Sequence, residues 1–254
     1  QRNTPWIWLY LLGMNQAVSM RKVLLLFIPV CLLWVNLHGQ TGPGGVGNST
    51  NNVLWLSGDS EAYTDLGTTL ASNGDNVQQW NDRSGNGINA LQNVAGNRPN
   101  YQTNVLNGLP VLRFTAANGD RILANGVSTG GAATIWVVAR YTSLPSDNPG
   151  LFQGAPAGLG FDVNGGNKSV GAWVDGAPDS GPAGTQVWGR GIQSNGTQQN
   201  ISQATVLNAN TTYAVCNNYN GSTTINQYVN NAIAGTVGYN GTLQDWSAFG
   251  IGSQ

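Results

Sequence analysis

Short apolar runs separated by polar turns recur along residues 53–252, and this alternation predicts antiparallel β-strands. No window in this region has a sustained apolar stripe of period 3.6 with helix caps, and only Asp65 to Ala71 suits a brief helical turn. The predicted strands start at Val53, Val77, Val111, Thr134, Leu159, Val170, Gln186, Thr212, Ile225 and Asp245. Ten or so short strands with frequent turns favour an all-β fold, an antiparallel two-sheet sandwich of jelly-roll type.

Asn-Gly dipeptides punctuate this pattern and predict tight turns, because both residues tolerate the positive φ of a type I′ hairpin turn. They occur at 73–74, 86–87, 107–108, 118–119, 125–126, 164–165, 195–196, 220–221 and 240–241. The most informative stretch is Val77 to Gln92, VQQWNDRSGNGINALQ, in which a strand, a rigid turn and a second strand are predicted. Asp82 is placed to accept a hydrogen bond from the backbone two residues on, and Asn86, Gly85 and Gly87 suit positive φ.

The N-terminal region divides into three parts before the strand pattern begins. Residues 20–39 have the basic start, apolar centre and polar exit of a secretory signal peptide, with a cut expected before Gln40. Residues 1–19 are interpreted as upstream sequence, residues 40–52 as a flexible linker and residues 53–254 as one domain. The apolar centre is short for a bilayer, which needs about 20 residues, so a membrane anchor is the alternative and no membrane span is expected in the mature chain.

Cleavage would change the chemistry that the chain can perform. The mature chain keeps seven basic residues against eleven acidic ones, a net charge of −4, which argues against nucleic acid as a partner. His38, the one histidine, would leave with the signal peptide, and so would Cys31. Cys216 would then be unable to form an intrachain disulfide, and its alternating context predicts a buried strand thiol.

Several segments together resemble one family. The run W-N-D-x-S-G-N-G around Asp82 is similar to a signature of LamG-like jelly-roll domains, members of the concanavalin A-like lectin and glucanase superfamily. Further similar segments follow in the family's order: VLWLSGDS from Val53, NRPNYQTNVLNGLPVLRF from Asn97, ATIWVVARY from Ala133, INQYVNNAIAG from Ile225 and FGIGSQ from Phe249. The resemblance implies a secreted modular protein of Bacteroidetes type.

The C-terminal end departs from the family pattern. Family members continue beyond the I-G pair with a further strand beside the first one, whereas this sequence reaches Gln254 without it. The resemblance therefore implies a C-terminally truncated product, with an unpaired sheet edge next to Val53–Leu56 and further domains in the full-length protein.

Catalysis has little support in these residues. Hydrolases of the resembled superfamily commonly carry E-x-D-x-E on one strand, and the sequence contains a single glutamate. Asp162 and Asp175 are the best-placed carboxylates for an alternative acid pair, but each precedes turn residues that a carboxylate would cap. Histidine-dependent catalysis and histidine metal sites are excluded in the mature chain.

Binding is the better expectation. Trp188, Tyr239, Trp173 and Asp175 are the candidate ligand-binding residues, with Trp188 and Tyr239 expected to be exposed beside glycines. Trp55 and Trp136 alternate with apolar neighbours as core residues do. Asp59, Glu61 and Asp65 form a candidate site for Ca²⁺, although their spacing matches no dedicated calcium loop.

The sequence therefore predicts a secreted or cell-surface module that binds glycans or mediates adhesion without catalysis. A polysaccharide-active glycoside hydrolase fragment and a ligand-free structural spacer are the alternatives.

Overall fold

The structure is a computed structural model that describes residues 42–43, 47–144, 150–155, 170–175, 186–192, 197–201, 207–221, 223–240 and 242–253. The chain is all-β over these residues, apart from short 3₁₀ turns at Ala95–Asn97 and Ala116–Asn118. The strands are β1 Ala62–Tyr63, β2 Gln79–Trp80, β3 Ala90–Leu91, β4 Asn100–Leu106, β5 Leu109–Arg113, β6 Ile122–Asn125, β7 Ala132–Arg140, β8 Gly150–Ala155, β9 Val170–Asp175, β10 Gln186–Ile192, β11 Gln198–Ile201, β12 Thr212–Asn220, β13 Thr224–Val229, β14 Ala232–Gly238 and β15 Ala248–Ser253.

All strand pairs are antiparallel, and they form three sheets. The largest has the order β1-β2-β3-β6-β15-β8-β9-β10-β11, the second has the order β14-β13-β12-β7, and β4 and β5 form a separate hairpin. The predicted all-β, antiparallel class is confirmed. In the large sheet β15 lies at the centre, between β6 and β8.

The apolar core lies between the two larger sheets. On the large sheet, Ile122 and Ala124 of β6 are buried at alternate positions because successive side chains point to opposite faces, whereas every residue of β8, Phe152 included, is buried. Val215 and Ile225 face them from the four-stranded sheet. Phe152 stacks on Phe249 at 5.7 Å between ring centroids, and Tyr219 meets Trp246 edge-on at 5.3 Å.

A polar contact also joins the two sheets. The Asn217 side-chain amide donates to the Gly171 carbonyl at 2.9 Å and accepts from the Gln227 side chain at 3.0 Å, and both side chains are fully buried. Gly189 lies against this pair: a Cβ built there would be 3.1 Å from the amide nitrogens of both Asn217 and Gln227. The space for a side chain at position 189 is therefore tight where the sheets approach each other.

The hairpin turns follow from their residues. Asn107 and Gly108 have φ of 51° and 80° between β4 and β5, as the Asn-Gly pattern predicts. Between β13 and β14 the same turn is made by Asn230 and Asn231, at 50° and 66°.

Two sequence-based expectations differ from the structure. Val53–Leu56 forms no strand; it is held instead by hydrogen bonds to the loop around Asp82. Residues 65–69 form a series of bends and Leu70 bridges to Tyr63, rather than a helical turn over 65–71, because Asp65 binds the backbone of its own loop. The strand predicted at Leu159 lies outside the described residues. Within the described residues, no helix has the length and apolar character needed to cross a membrane.

Candidate functional site

The Asp82 loop is held together by hydrogen bonds to the carboxylate of Asp82. Asp82 Oδ1 accepts hydrogen bonds from the Trp55 N–H at 2.9 Å and the Ser84 N–H at 2.8 Å. Its Oδ2 accepts from the Ser84 hydroxyl at 2.7 Å and the Ile88 N–H at 3.1 Å. The side chain is buried, and all of these donors belong to the protein. The sequence-based expectation that Asp82 caps its own loop is confirmed.

The rest of the loop supports the same interpretation. Gly85 and Gly87 have φ of 92° and 72°, as expected, whereas Asn86 does not have positive φ. Asn86 instead donates through its side-chain amide to the carbonyls of Ser49, Asn52 and Val53 at 3.0–3.1 Å. This holds the segment that enters the domain against the loop, so the motif is structural.

Three of the four predicted ligand-binding residues lie on neighbouring strands of the large sheet. Trp188 of β10 pairs directly with Trp173 of β9, and Asp175 pairs with Gln186. The side chains of Trp173, Asp175 and Trp188 lie outside the described residues, as does the whole of Asp162. Their role as ligand or catalytic residues stays a prediction.

Tyr239 was expected to be exposed, and the structure corrects this: its side chain is only 6% exposed. Its hydroxyl donates to Asn220 Oδ1 at 3.3 Å, and its N–H donates to the Thr223 carbonyl at 2.8 Å. Burial raises the pKa of the phenol. Tyr239 still borders a groove of about 410 Å³, shared with Gln199 and Asn240 among others.

The three carboxylates proposed for calcium have separate surroundings. Asp65 accepts the N–H groups of Thr68 and Thr69 at 2.8 and 2.9 Å, and these hydrogen bonds lower its pKa. Asp59 forms an ion pair with Arg83 at 3.5 Å. Within the described ranges, no three His, Cys, Asp or Glu side chains are grouped so that they could hold a metal ion. The calcium site therefore stays a prediction. The described part of the chain does not supply a ligand cluster for it.

Asp59 and Glu61 do share one feature, a groove of about 380 Å³. Tyr63, Leu70 and Tyr101 line the same groove. Arg83 lies over the Trp55 ring at 4.4 Å, so the cation that pairs with Asp59 is also held by an aromatic face.

A feature that the sequence analysis missed is the outer face of the four-stranded sheet, opposite the core. Trp136 was expected to pack in the core, but it is 56% exposed there. Ile135 and Val137 on the same strand face the core instead, since β7 alternates between exposed and part-buried positions. Cross-strand pairing places Cys216, Tyr228 and Ile233 on the same outer face.

We call this line of side chains, Trp136–Cys216–Tyr228–Ile233, the apolar row. Ile233 is 63% exposed and Tyr228 is part-exposed, whereas Cys216 is buried between its two aromatic cross-strand partners. Burial raises the pKa of Cys216 to about 11, so the thiol is protonated at neutral pH. The expectation of a buried strand thiol is confirmed.

A second line of side chains runs beside the first on the same face. We call it the polar row: Thr134, Asn218, Asn226 and Thr236, each paired with the next across the strands. The Asn218 amide donates to the Thr134 hydroxyl at 2.7 Å, and the Thr236 hydroxyl donates to Asn226 Oδ1 at 2.8 Å. The four strands contain one charged residue, Arg140, at the end of β7.

The sequence does contain a signal for this face. TIWVVAR places apolar residues in both alternation phases, as a strand with two apolar faces would, and the next strands place amides and hydroxyls in the outer phase. No protein-family model matches the chain, and no curated protein matches it either.

Proposed function

We propose that the protein is a secreted, non-catalytic module of LamG-like jelly-roll type that binds carbohydrate or mediates adhesion as part of a larger surface protein. Two packed antiparallel sheets of short strands are the architecture that this class needs. Two of the resembling segments also occupy matching elements: ATIWVVARY spans β7, and INQYVNNAIAG spans the β13–β14 hairpin.

The observation that carries the binding function is the outer face of the four-stranded sheet. Contiguous apolar patches that folding leaves exposed mark interaction sites, and the exposed Trp136 and Ile233 belong to one line of side chains on this face. Sugar rings present C–H groups to aromatic faces and hydroxyls to amides, and the apolar and polar rows offer both side by side. The near absence of charge favours an uncharged ligand over an ionic one.

The proposed localisation, outside the cell or on a bacterial surface, rests on the signal-peptide pattern of residues 20–39. An exposed apolar and amide-rich face suits an extracellular polysaccharide that is abundant and immobile. Weak contacts of this kind would hold a multidomain protein on such a surface when several modules engage together.

Depletion of the protein from solution by cellulose, chitin, mannan and xylan tests this function. The expected result is depletion by at least one of them, reduced at least tenfold in affinity by Trp136→Ala. Leu66→Ala is the matched control, because Leu66 is 64% exposed but lies outside the sheet face, and it is expected to bind as the parent does.

Two results would reject the proposal. A correctly folded protein that none of the polysaccharides depletes is not a binding module for them, and it would fit a structural spacer. Release of reducing sugar, abolished by Asp162→Asn or Asp175→Asn, would establish the hydrolase alternative instead.

A further inference from the structure

The apolar row crosses the sheet in a straight line, because its members are direct partners from strand to strand. Trp136 pairs with Cys216, Cys216 with Tyr228, and Tyr228 with Ile233. The β-bulge between Gln227 and Tyr228 brings Ile233 into this line on the edge strand β14. A ligand that follows the row therefore runs perpendicular to the strands.

The spacing of the two aromatic side chains sets the repeat of such a ligand. Tyr228 and Trp136 are two strands apart, which is about 9.6 Å. That distance matches the length of two successive sugar units in an extended β-1,4-linked chain. Such a chain is a flat ribbon in which each sugar unit is flipped relative to the one before it. The small Cys216 side chain between them is buried, so the two rings are the raised contacts.

On β7, β12 and β13 the polar row lies two residues along the strand from the apolar row, a distance of about 6.7 Å; on β14, Thr236 lies three residues from Ile233 because of the bulge. An amide group can make four hydrogen bonds, and the contacts within this row use one at Asn218 and one at Asn226. The other donors and acceptors of these two amides are available to the edge of a flat sugar chain that stacks on the aromatic rings. Hydroxyl groups line that edge in any neutral polysaccharide of this shape.

We propose that the ligand is an extended, uncharged, unbranched β-1,4-linked polysaccharide chain that lies across the four strands, stacked on Tyr228 and Trp136 and hydrogen-bonded by the polar row. This assignment rests on the proposed carbohydrate-binding function and adds to it the chemical class and direction of the chain. The whole row spans three strand spacings, about 14 Å, so its footprint is about three to four sugar units.

Calorimetric titration with cello-oligosaccharides of two to six units, mannohexaose and maltohexaose tests the assignment. Affinity for the β-1,4-linked series is expected to rise at least tenfold from the dimer to the tetramer and then level off. The curved α-1,4-linked maltohexaose is expected to bind at least tenfold more weakly than cellohexaose. Trp136→Ala and Tyr228→Ala should each weaken cellotetraose binding at least tenfold, Trp136→Phe should retain most of it, and Leu66→Ala should retain all of it.

The reactivity of Cys216 reports the position of the chain independently of affinity. Bound cellohexaose is expected to slow alkylation of the Cys216 peptide at least threefold in the parent protein. Protection is the result expected when the chain crosses the row, while binding without protection places the ligand elsewhere on the molecule and overturns the assignment.

Other outcomes distinguish a failure of the β-1,4-linked ligand assignment from a failure of the proposed carbohydrate-binding function on which it rests. Depletion by a polysaccharide, combined with affinity that is independent of chain length or equal for maltohexaose, rejects the assignment and leaves the binding function standing. No binding to any saccharide rejects both. A dimer in sedimentation velocity that Trp136→Ala dissociates would show that the face joins two copies of the chain, which also overturns the assignment.

Discussion

Trp136 and Cys216 are direct cross-strand partners on β7 and β12, yet the indole is 56% exposed and the thiol only 2%. The difference follows from size, since a small side chain between two aromatic partners on the same face is covered by them. We therefore expect the exposed indole to shield the thiol from solvent.

Trp136→Ala should consequently increase the alkylation rate of Cys216. We expect a rise of at least about threefold at neutral pH, because a better-solvated thiol ionises more readily and is more accessible. Alkylation followed by peptide mass spectrometry measures the rate. Leu66→Ala is the control; equal rates in Trp136→Ala and the parent would show that other groups cover Cys216.

Asp82→Ala should destabilise the fold by about 3 kcal/mol. Its carboxylate accepts hydrogen bonds from three backbone N–H groups and one hydroxyl, and removing it leaves buried donors without a partner. Urea unfolding gives the free energy. Asp59→Ala serves as the comparison, since it removes an exposed ion pair with Arg83 and an exposed hydrogen bond from the Ser57 hydroxyl, and it should cost less than about 1 kcal/mol. Similar losses in the two variants would contradict the bracing role.

Gly189→Ala should destabilise the packing between the two sheets by about 1–3 kcal/mol. The added methyl group would lie 3.1 Å from the amide nitrogens of Asn217 and Gln227, tighter than an ordinary contact. Gly96→Ala is matched to it, because a Cβ there meets nothing within 4 Å, and it should stay within about 0.5 kcal/mol of the parent. A neutral Gly189→Ala would mean that the sheets can move apart freely.

The ionisation of Asp245 should make the free energy of unfolding depend on pH. Desolvation alone would raise the pKa of Asp245, but hydrogen bonds from the Ser128 hydroxyl and from backbone N–H groups of Thr129, Gly130 and Trp246 hold it at about 2, below its usual 3.8. Because the folded pKa is the lower one, the carboxylate favours the folded state above pH 3.8, and this contribution disappears as the pH falls through about 2.

The measurement is urea unfolding of the parent and Asp245→Asn across this range. The parent should be the more stable of the two at neutral pH, and the difference should stay constant down to about pH 5 and shrink steadily below it. A difference that persists unchanged at pH 2 would show that the carboxylate hydrogen bonds do not require the charge.

The local structure was the most predictable part of this molecule. Asp82 and the glycines of its loop, and the β4–β5 hairpin, are set by short-range chemistry that a few neighbouring residues decide. These features need no knowledge of what packs on them. The burial of Cys216 was also predicted, but it depends on the aromatic partners Trp136 and Tyr228 that flank the thiol on the outer face.

The candidate site was less predictable because it depends on which face is covered. In TIWVVAR both alternation phases are apolar, and only the packing of the large sheet buries Ile135 and Val137 and leaves Trp136 outside. Tyr239 looked exposed beside Asn240-Gly241, but its hydroxyl reaches Asn220 on another strand. Contacts between distant segments decide both positions.

The central place of β15 in the large sheet has a consequence for biosynthesis. Ile251 pairs with Ile122 on one side and Phe152 on the other, so residues 248–253 join the two halves of the nine-stranded sheet. Those residues are synthesised after all the other described strands of the sheet. Strand pairs between segments so distant in sequence form slowly. The emerging polypeptide therefore cannot complete the nine-stranded sheet until residues 248–253 have been synthesised.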